Sequence, residues 1–302
     1  MTKPFVAVAG ATGQLGRQIS TNLRARNVSV RALVRPGTAS SRTETLRNAG
    51  VIVAETDLSD APSLAKELRG ASCVVSALNG LADTVLGTQK SLFDAAIAAE
   101  VPRFIPSDFA LDFTKTAPGS NRNLDLRREF HQRVEGSGIQ LTSILNGGFM
   151  ELLAGQAPLI NHRLRRVLYW NNDEQKLDFT TISDTAAYTA AVAADPNPTP
   201  RFLRIAGDVV SAKDLAAIVS RLRGAPYSTL WVGSTGFLEG TSDFMRRFSI
   251  GGSEREVFPA WQGMQYMTNM FSGAGKLDPL DNDRYPDLEW TKVERFLTEN
   301  AS

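Results

Sequence analysis

Residues 5–19 read FVAVAGATGQLGRQI. A run of β-forming residues breaks at Gly10, two more glycines follow at Gly13 and Gly16, and helical periodicity opens at Gln14. A strand that passes through close-set glycines into a helix is suited to a dinucleotide. Gly10 lets the chain leave the strand in a tight turn. Gly13 lets backbone N–H groups approach a pyrophosphate, and Gly16 lets the helix pack closely on the strand. The helix N-terminus adds unsatisfied donors and positive potential for phosphates. The spacing is G-x-x-G-x-x-G rather than the standard G-x-G-x-x-G, so the strand–helix context carries the reading. The alternative is a plain strand-to-helix turn.

Working outward, the first half alternates strands and helices. VSVRALV, VIVAETD, ASCVVSAL, VPRFIPS and IQLTSIL read as strands. SRTETLRNAG, APSLAKELRG, TVLGTQKSLFDAAIAAE and NLDLRREFHQRVEGSG, which lie between them, read as helices. Regular βα alternation with short connections predicts an α/β, Rossmann-type, doubly wound parallel sheet. The second half is less regular. It holds short strands RRVLYW, KLDFTTI and RFLRIAG, a helix SDTAAYTAAVAAD capped by Ser183 or Asp184, and a helix from Ser211 to a stop at Gly224. Aromatic-rich helices are expected near 234–248 and 254–272. These features predict a dinucleotide-binding domain over 1–150 and a smaller α+β substrate domain over 151–302, with segments near 180–207 returning to the sheet.

The loop after the second strand selects the dinucleotide. A site for NAD carries an acid there for the ribose 2′-OH. Here VRPGTASSR supplies Arg35, Thr38, Ser40, Ser41 and Arg42, and no acid follows until Glu44. Guanidinium groups and hydroxyls suit a 2′-phosphate through charge-assisted bonds. The expected cofactor is therefore NADP(H). Arg31 reads as a structural or rim charge. Asp57, after the third strand, would meet the adenine edge or cap a helix.

Composition excludes several classes. Lys plus Arg total 33 against 32 Asp plus Glu, which argues against a nucleic-acid binder working by general charge. The one cysteine, Cys73, lies in an apolar run and reads as a small buried hydrophobe of a reducing compartment. The N-terminus lacks a signal-peptide layout, and no apolar run approaches the roughly 20 residues of a membrane helix. A soluble, cytoplasmic protein is expected, without a metal site.

GATGQLG, the Arg35 loop, FIPSDFALD, GSGIQLTSILNGGFME and the tail RYPDLEWTKVERFL together resemble the NmrA-like, atypical short-chain dehydrogenase/reductases. The nearest likeness is to the isoflavone reductase and phenylcoumaran benzylic ether reductase family. It runs nearly end to end and is weak from about residue 225 to 280. The resemblance implies a Rossmann-type fold, NADPH and reduction of aromatic, phenylpropanoid-like substrates. It assigns Gly10, Thr12, Gly13, Gln14, Leu15 and Gly16 to the phosphate loop and Arg35 to the 2′-phosphate. It sets Leu78 near the cofactor ribose, and Ser107 and Phe109, within PSDF where relatives read PSEFG, beside the nicotinamide. Asn146, Gly147 and Phe149 are assigned to the nicotinamide and substrate side.

One position departs from that pattern. The family's catalytic lysine falls, counting back from EGSGIQLT, on Arg127. None of Tyr169, Tyr188, Tyr227, Tyr266 or Tyr285 has a lysine four residues on, so the usual Tyr–Lys dyad is absent too. Arginine stabilises an oxyanion but cannot shuttle a proton. His131, one helical turn on, is the expected acid, or else a packed helix residue. Lys115 and Asp108 are further candidates, and His162 reads as surface. Phe149, Trp231, Phe237, Phe244, Trp261, Tyr266 and Phe271 would supply pocket walls or ordinary core. The expected activity is hydride transfer from NADPH to a small apolar, conjugated aromatic acceptor. The alternative is an NADP(H)-binding redox sensor without turnover.

Overall fold

The computed structural model describes residues 4–155 and 159–300. In chain order the first elements are β1 (Phe5–Ala9), α1 (Gln14–Ala25), β2 (Ser29–Val34), α2 (Ser40–Asn48), β3 (Ile52–Glu55), α3 (Ala61–Leu68) and β4 (Ala71–Ser76). A turn of π-helix, Asp83–Thr88, leads into α4 (Gln89–Ala98), then β5 (Arg103–Ile105), α5 (Arg122–Arg133), β6 (Gln140–Leu141), β7 (Ser143–Leu145) and β8 (Gly148–Phe149). There follow β9 (Ile160–Asn161), β10 (Arg166–Tyr169), β11 (Leu177–Thr180), α6 (Ile182–Ala194), β12 (Phe202–Arg204), β13 (Asp208–Val210) and α7 (Ala212–Arg223). The last are β14 (Ser228–Trp231), α8 (Thr235–Arg247), α9 (Ala260–Phe271) and α10 (Val293–Glu299).

A six-stranded sheet has the order β3-β2-β1-β4-β5-β6, and each of its pairings is parallel. This is the doubly wound order, with the chain reversing direction of travel beside β1. β1 and β4 are buried nearly throughout because both lie in the middle of the sheet, whereas the edge strand β3 leaves Ile52 exposed. One layer of core centres on Phe93, Phe104 and Phe130. The Phe93 ring meets the other two edge-on, at centroid distances of 5.2 and 6.0 Å.

The chain forms two compact units that interleave along the sequence rather than dividing once at residue 150. Unit 1 comprises Met1–Phe109, Leu126–Ile144 and Thr185–Leu203; unit 2 comprises Ala110–Asp125, Leu145–Asp184 and Arg204–Ser302. The two are of comparable length. The returning segment belongs to unit 1, but its strand β12 pairs with β7 and stays out of the six-stranded sheet. IQLTSIL is accordingly two short strands, β6 on the main sheet and β7 on β12.

Unit 2 mixes short sheets with helices. β10 pairs parallel with β14 and antiparallel with β9, and β11 pairs antiparallel with β13 and parallel with β8. α7 begins with a capping box between Ser211 and Asp214 and ends at Gly224 in the left-handed region. α6 starts earlier than the sequence predicts: Thr181, not Ser183 or Asp184, accepts the Asp184 N–H at 2.9 Å. Among the described residues no helix is long and apolar enough to cross a membrane. No group of three or more His, Cys, Asp and Glu among them is placed to hold a metal ion.

Candidate functional site

In unit 1 the glycine loop lies at the carboxyl end of β1. Gly10 has φ +78°, and a Cβ there would overlap the Ala77 carbonyl that follows β4. A Cβ on Gly16 would overlap the Gly10 carbonyl, so the glycine is what lets α1 seat against the strand end. Gly13 donates to the Gly10 carbonyl at 3.0 Å and occupies the N-cap of α1. No side chain caps that helix and no acid sits in its first turn, so its N–H groups at Gln14, Leu15 and Gly16 are left to a ligand. Thr12 is half-buried within the same turn.

The neighbouring strand ends complete this edge. Arg35 is exposed just past β2, where its carbonyl accepts from Thr38 N and Oγ1 at 3.1 and 2.6 Å. Ser40 and Arg42 are exposed on the first turn of α2. Arg31 is structural: its guanidinium lies over the Phe5 ring at 4.4 Å and pairs with Glu67 at 3.3 Å. Asp57 is not a helix cap, because Asp60 performs that role for α3. Asp57 instead accepts from Ser59 N and Oγ at 2.9 and 2.7 Å, and these bonds hold its carboxyl below the usual range.

The carboxyl ends of β4 and β5 are tied together by Ser107. Its hydroxyl donates to the Leu78 carbonyl at 2.6 Å and its N–H to Gln89 Oε1 at 2.9 Å. Two polar atoms at this edge, Ser76 Oγ and Gln89 Nε2, are buried without a hydrogen-bond partner. Buried polar groups are ordinarily satisfied, so such orphans beside a glycine cradle fit a polar ligand. The uncapped helix, the cradle that a Cβ would fill and the exposed Arg35–Arg42 loop together fit NADP(H).

The next residue, Asp108, is fully buried. Its Oδ2 lies 2.6 Å from His131 Nε2 on α5 and accepts from Ser143 Oγ on β7 at 2.7 Å. Arg201 Nη2 reaches His131 Nδ1 at 2.8 Å from just before β12. A guanidinium only donates, so Nδ1 is the acceptor, and Nε2 carries the hydrogen that goes to Asp108. Burial pushes the Asp108 carboxyl up, but the His131 ring, the Arg127 guanidinium and the Ser143 hydroxyl outweigh it and hold the group below its ordinary range.

His131 is 8% exposed, and both its ring nitrogens are committed to protein partners. These contacts pack the ring against Asp108, Ser143 and Arg201. Arg127 lies one turn earlier on α5, half-buried, close enough to Asp108 to act on it electrostatically. Ser143, Arg201 and Gln89 escaped the sequence reading. Ser143 had a faint signal as a polar residue inside the apolar run IQLTSIL. Arg201 and Gln89 had none, since only folding brings them to Asp108 and Ser107.

The remaining candidates lie in unit 2. Asn146 and Gly147 donate their N–H groups to the Ala110 carbonyl at 3.0 and 3.1 Å. Gly147 has φ +70°, and a Cβ there would overlap the Asp178 carbonyl. The Asn146 carbonyl accepts from Thr180 Oγ1 at 2.8 Å, while Phe149 pairs with Thr180 between β8 and β11. Lys115 is a tie, donating to the Lys276 and Asp278 carbonyls at 3.2 and 2.8 Å. His162 is bound to Tyr227 at 3.0 Å. Trp261 and Phe271 are core, with the guanidiniums of Arg122 and Arg246 over the Trp261 ring at 4.6 and 5.1 Å. Trp231, Phe237 and Phe244 are exposed.

Comparison with known proteins gives concordant matches. A model of the NmrA-like family matches residues 2–296. Pinoresinol reductase 1 of Arabidopsis thaliana is 26% identical over 98% of this chain and 96% of its own length. The isoflavone reductase homolog IRL of Zea mays is 25% identical over 98% and 97%. Among solved structures, AtPrR2 with NADP+ and (+)pinoresinol superposes with a TM-score of 0.83 at 22% identity over 99% of both chains. The leucoanthocyanidin reductase–NADPH complex from Vitis vinifera does so with 0.79 at 19% over 98% of both. At these identities the structural likenesses speak to the fold.

Proposed function

The chain belongs to the NmrA-like family, and from that membership we propose that it is an NADPH-dependent reductase acting on a small aromatic, conjugated acceptor. The observation that carries this reading is the uncapped α1 N-terminus behind Gly10, Gly13 and Gly16, with Arg35 at the next strand end. The end-to-end likeness to pinoresinol and isoflavone reductases supplies the reaction class. Gly10–Gly16 and the N-terminus of α1 bind the pyrophosphate. Arg35, Ser40 and Arg42 take the 2′-phosphate, Asp57 faces the adenine edge, and Leu78 the ribose. Ser107 and Phe109 orient the nicotinamide, which supplies a hydride when bound.

Arg127 stabilises the oxyanion that develops on the acceptor, and its permanent charge suits that task. It does not hand over a proton, and His131 is committed elsewhere, so the proton comes from water. His131, Ser143 and Arg201 act as positioning residues: they hold Asp108, and with it the chain between Ser107 and Phe109. Asn146, Gly147 and Phe149 are assigned to the nicotinamide and substrate by their likeness to the reductases. The single cysteine, Cys73, fits work in a reducing cytoplasm; its burial pushes the thiol up to about 12.

The test is NADPH oxidation against a panel of lignans, isoflavonoids and quinones. Arg127→Ala is expected to lower kcat about 100-fold, the cost of one oxyanion donor, while NADPH affinity holds. Wild-type turnover in that variant would overturn the assignment. The guanidinium at 127, together with the engaged His131, favours one second reading: dinucleotide binding without turnover. Tight NADP(H) binding with no oxidation of any acceptor would decide for it.

A further inference from the structure

In unit 2, β9 and β10 pair antiparallel with Asn161 opposite Arg166, and residues 162–165, HRLR, make the turn between them. Asn161 Oδ1 accepts the Leu164 N–H at 2.9 Å and pins the loop. Leu164 is 57% exposed between two exposed arginines, Arg163 and Arg165. The Arg166 guanidinium turns to the same loop, donating to the Arg165 carbonyl at 3.2 Å. β14 runs beside β10, with Ser228 opposite Arg166, and the preceding Tyr227 holds His162. Arg223, at the end of α7, joins this group: burial and then its guanidinium hold the His162 ring below the usual range. The charge here is one-sided. The whole chain is nearly balanced, yet no acid occurs between Glu151 and Asp173 or between Asp214 and Glu239. Arg221 is paired with Glu294 at 3.1 Å, whereas Arg163, Arg165, Arg166 and Arg223 have no ion-pair partner among the described residues. Arg165 has φ +51°, a conformation that glycine adopts at lower cost, so a cation stands there against the backbone's preference.

We propose that this hairpin docks on a lipid bilayer with anionic headgroups, Leu164 entering the headgroup region and Arg163, Arg165, Arg166 and Arg223 meeting the phosphates. Charge complementarity selects an anionic partner, and the leucine selects a bilayer. An aliphatic tip flanked by arginines suits an interface, since the apolar group is buried while the long cationic side chains keep their heads at the polar level. A single-stranded nucleic acid would call for free aromatic faces on which bases stack. The two rings at hand, His162 and Tyr227, instead pack edge-on against each other with centroids 5.9 Å apart. None of these residues is assigned to NADPH or to the acceptor, so bilayer binding and turnover are separable.

The experiment is co-sedimentation of the full chain with phosphatidylcholine vesicles, with and without about 30% phosphatidylserine, at about 0.1 M salt. The wild type is expected to bind the anionic vesicles, to ignore the neutral ones and to be released at about 0.5 M salt. Arg165→Gly is expected to weaken binding about fivefold, the worth of one cation at a charged bilayer. It should not lower the unfolding temperature, because glycine is at home at that φ. Leu164→Ser is expected to weaken binding about tenfold through the lost apolar burial, and Arg163→Glu with Arg166→Glu at least about 25-fold. NADPH titration of each variant should match the wild type. If the double variant fails to fold, Arg165→Gly and Leu164→Ser decide. A wild type that ignores anionic vesicles, that binds neutral ones equally, or whose binding survives Arg165→Gly and Leu164→Ser would overturn the proposal. Release by about 10 mM inorganic phosphate at fixed ionic strength would make this a site for a free anion and overturn it as well. Capture of a single-stranded oligonucleotide without vesicle binding would do the same.

Discussion

The glycine loop and the Asp108 network lie in the same unit and are built by opposite means. The loop is a matter of missing atoms: at Gly10 and Gly16 the backbone comes so close to its neighbours that a single methyl group is excluded. The network is a matter of present ones: a buried carboxylate is held by side chains from α5 and β7, and the α5 histidine is held in turn by Arg201 before β12. Steric sites of the first kind tolerate no substitution but need no partner. Electrostatic sites of the second kind tolerate rearrangement only if every partner changes together.

That contrast can be broken most forcefully at Gly16. Gly16→Val is expected to cost about 3 kcal/mol or more and to abolish NADPH binding, read by thermal unfolding and fluorescence titration. A variant of wild-type stability that still binds NADPH would mean the loop is not steric. Next, Asp108→Ala strands Ser143 and His131, with an expected cost of about 2–3 kcal/mol. Asp108→Asn, which keeps the shape, should recover part of it. If the alanine and asparagine variants are equally stable, hydrogen bonding is not what holds the segment.

The pH dependence sharpens the same point. The folded state depresses the Asp108 pKa, so its contribution is present above the unfolded value and is lost as pH falls through the lower, folded one. Chemical denaturation at descending pH should therefore show a loss of stability below about pH 4 that is smaller in Asp108→Asn. An identical acid limb in both proteins would remove Asp108 from the account. For the loop, Arg35→Ala should weaken NADPH about 10- to 100-fold, the worth of a charge-assisted contact, and NADH far less. Equal losses for both cofactors would remove Arg35 from the 2′-phosphate. Smallest of all, Cys73 should resist thiol reagents at pH 8 in the native protein and react on unfolding. Prompt labelling of the folded chain would contradict its burial.

The two kinds of site also differ in how far sequence reveals them. The loop was legible because its information is local: strand, three glycines and helix fall within residues 5–25. The sheet was legible for the same reason, since each βα unit repeats a short-range pattern. The surroundings of His131 are not legible, because helical spacing puts it beside Arg127 but says nothing of Asp108, Ser143 or Arg201. Those partners are 12 to 70 residues away along the chain. The interleaved units were hidden likewise: nothing in PNPTP says that the strand after it pairs with β7.

That pairing bears on how the protein is made. Unit 1 is closed by Thr185–Leu203, which bonds back to Arg103, Gln140, Thr142 and Ser143. A ribosome adding roughly 5–20 residues per second delivers the main sheet several seconds before the segment that seals it. During that interval the β7 edge and the approach to His131 stand open on the nascent chain. A fragment ending at residue 150 would stay in that state permanently, and is expected to be captured by chaperones rather than released as a folded half.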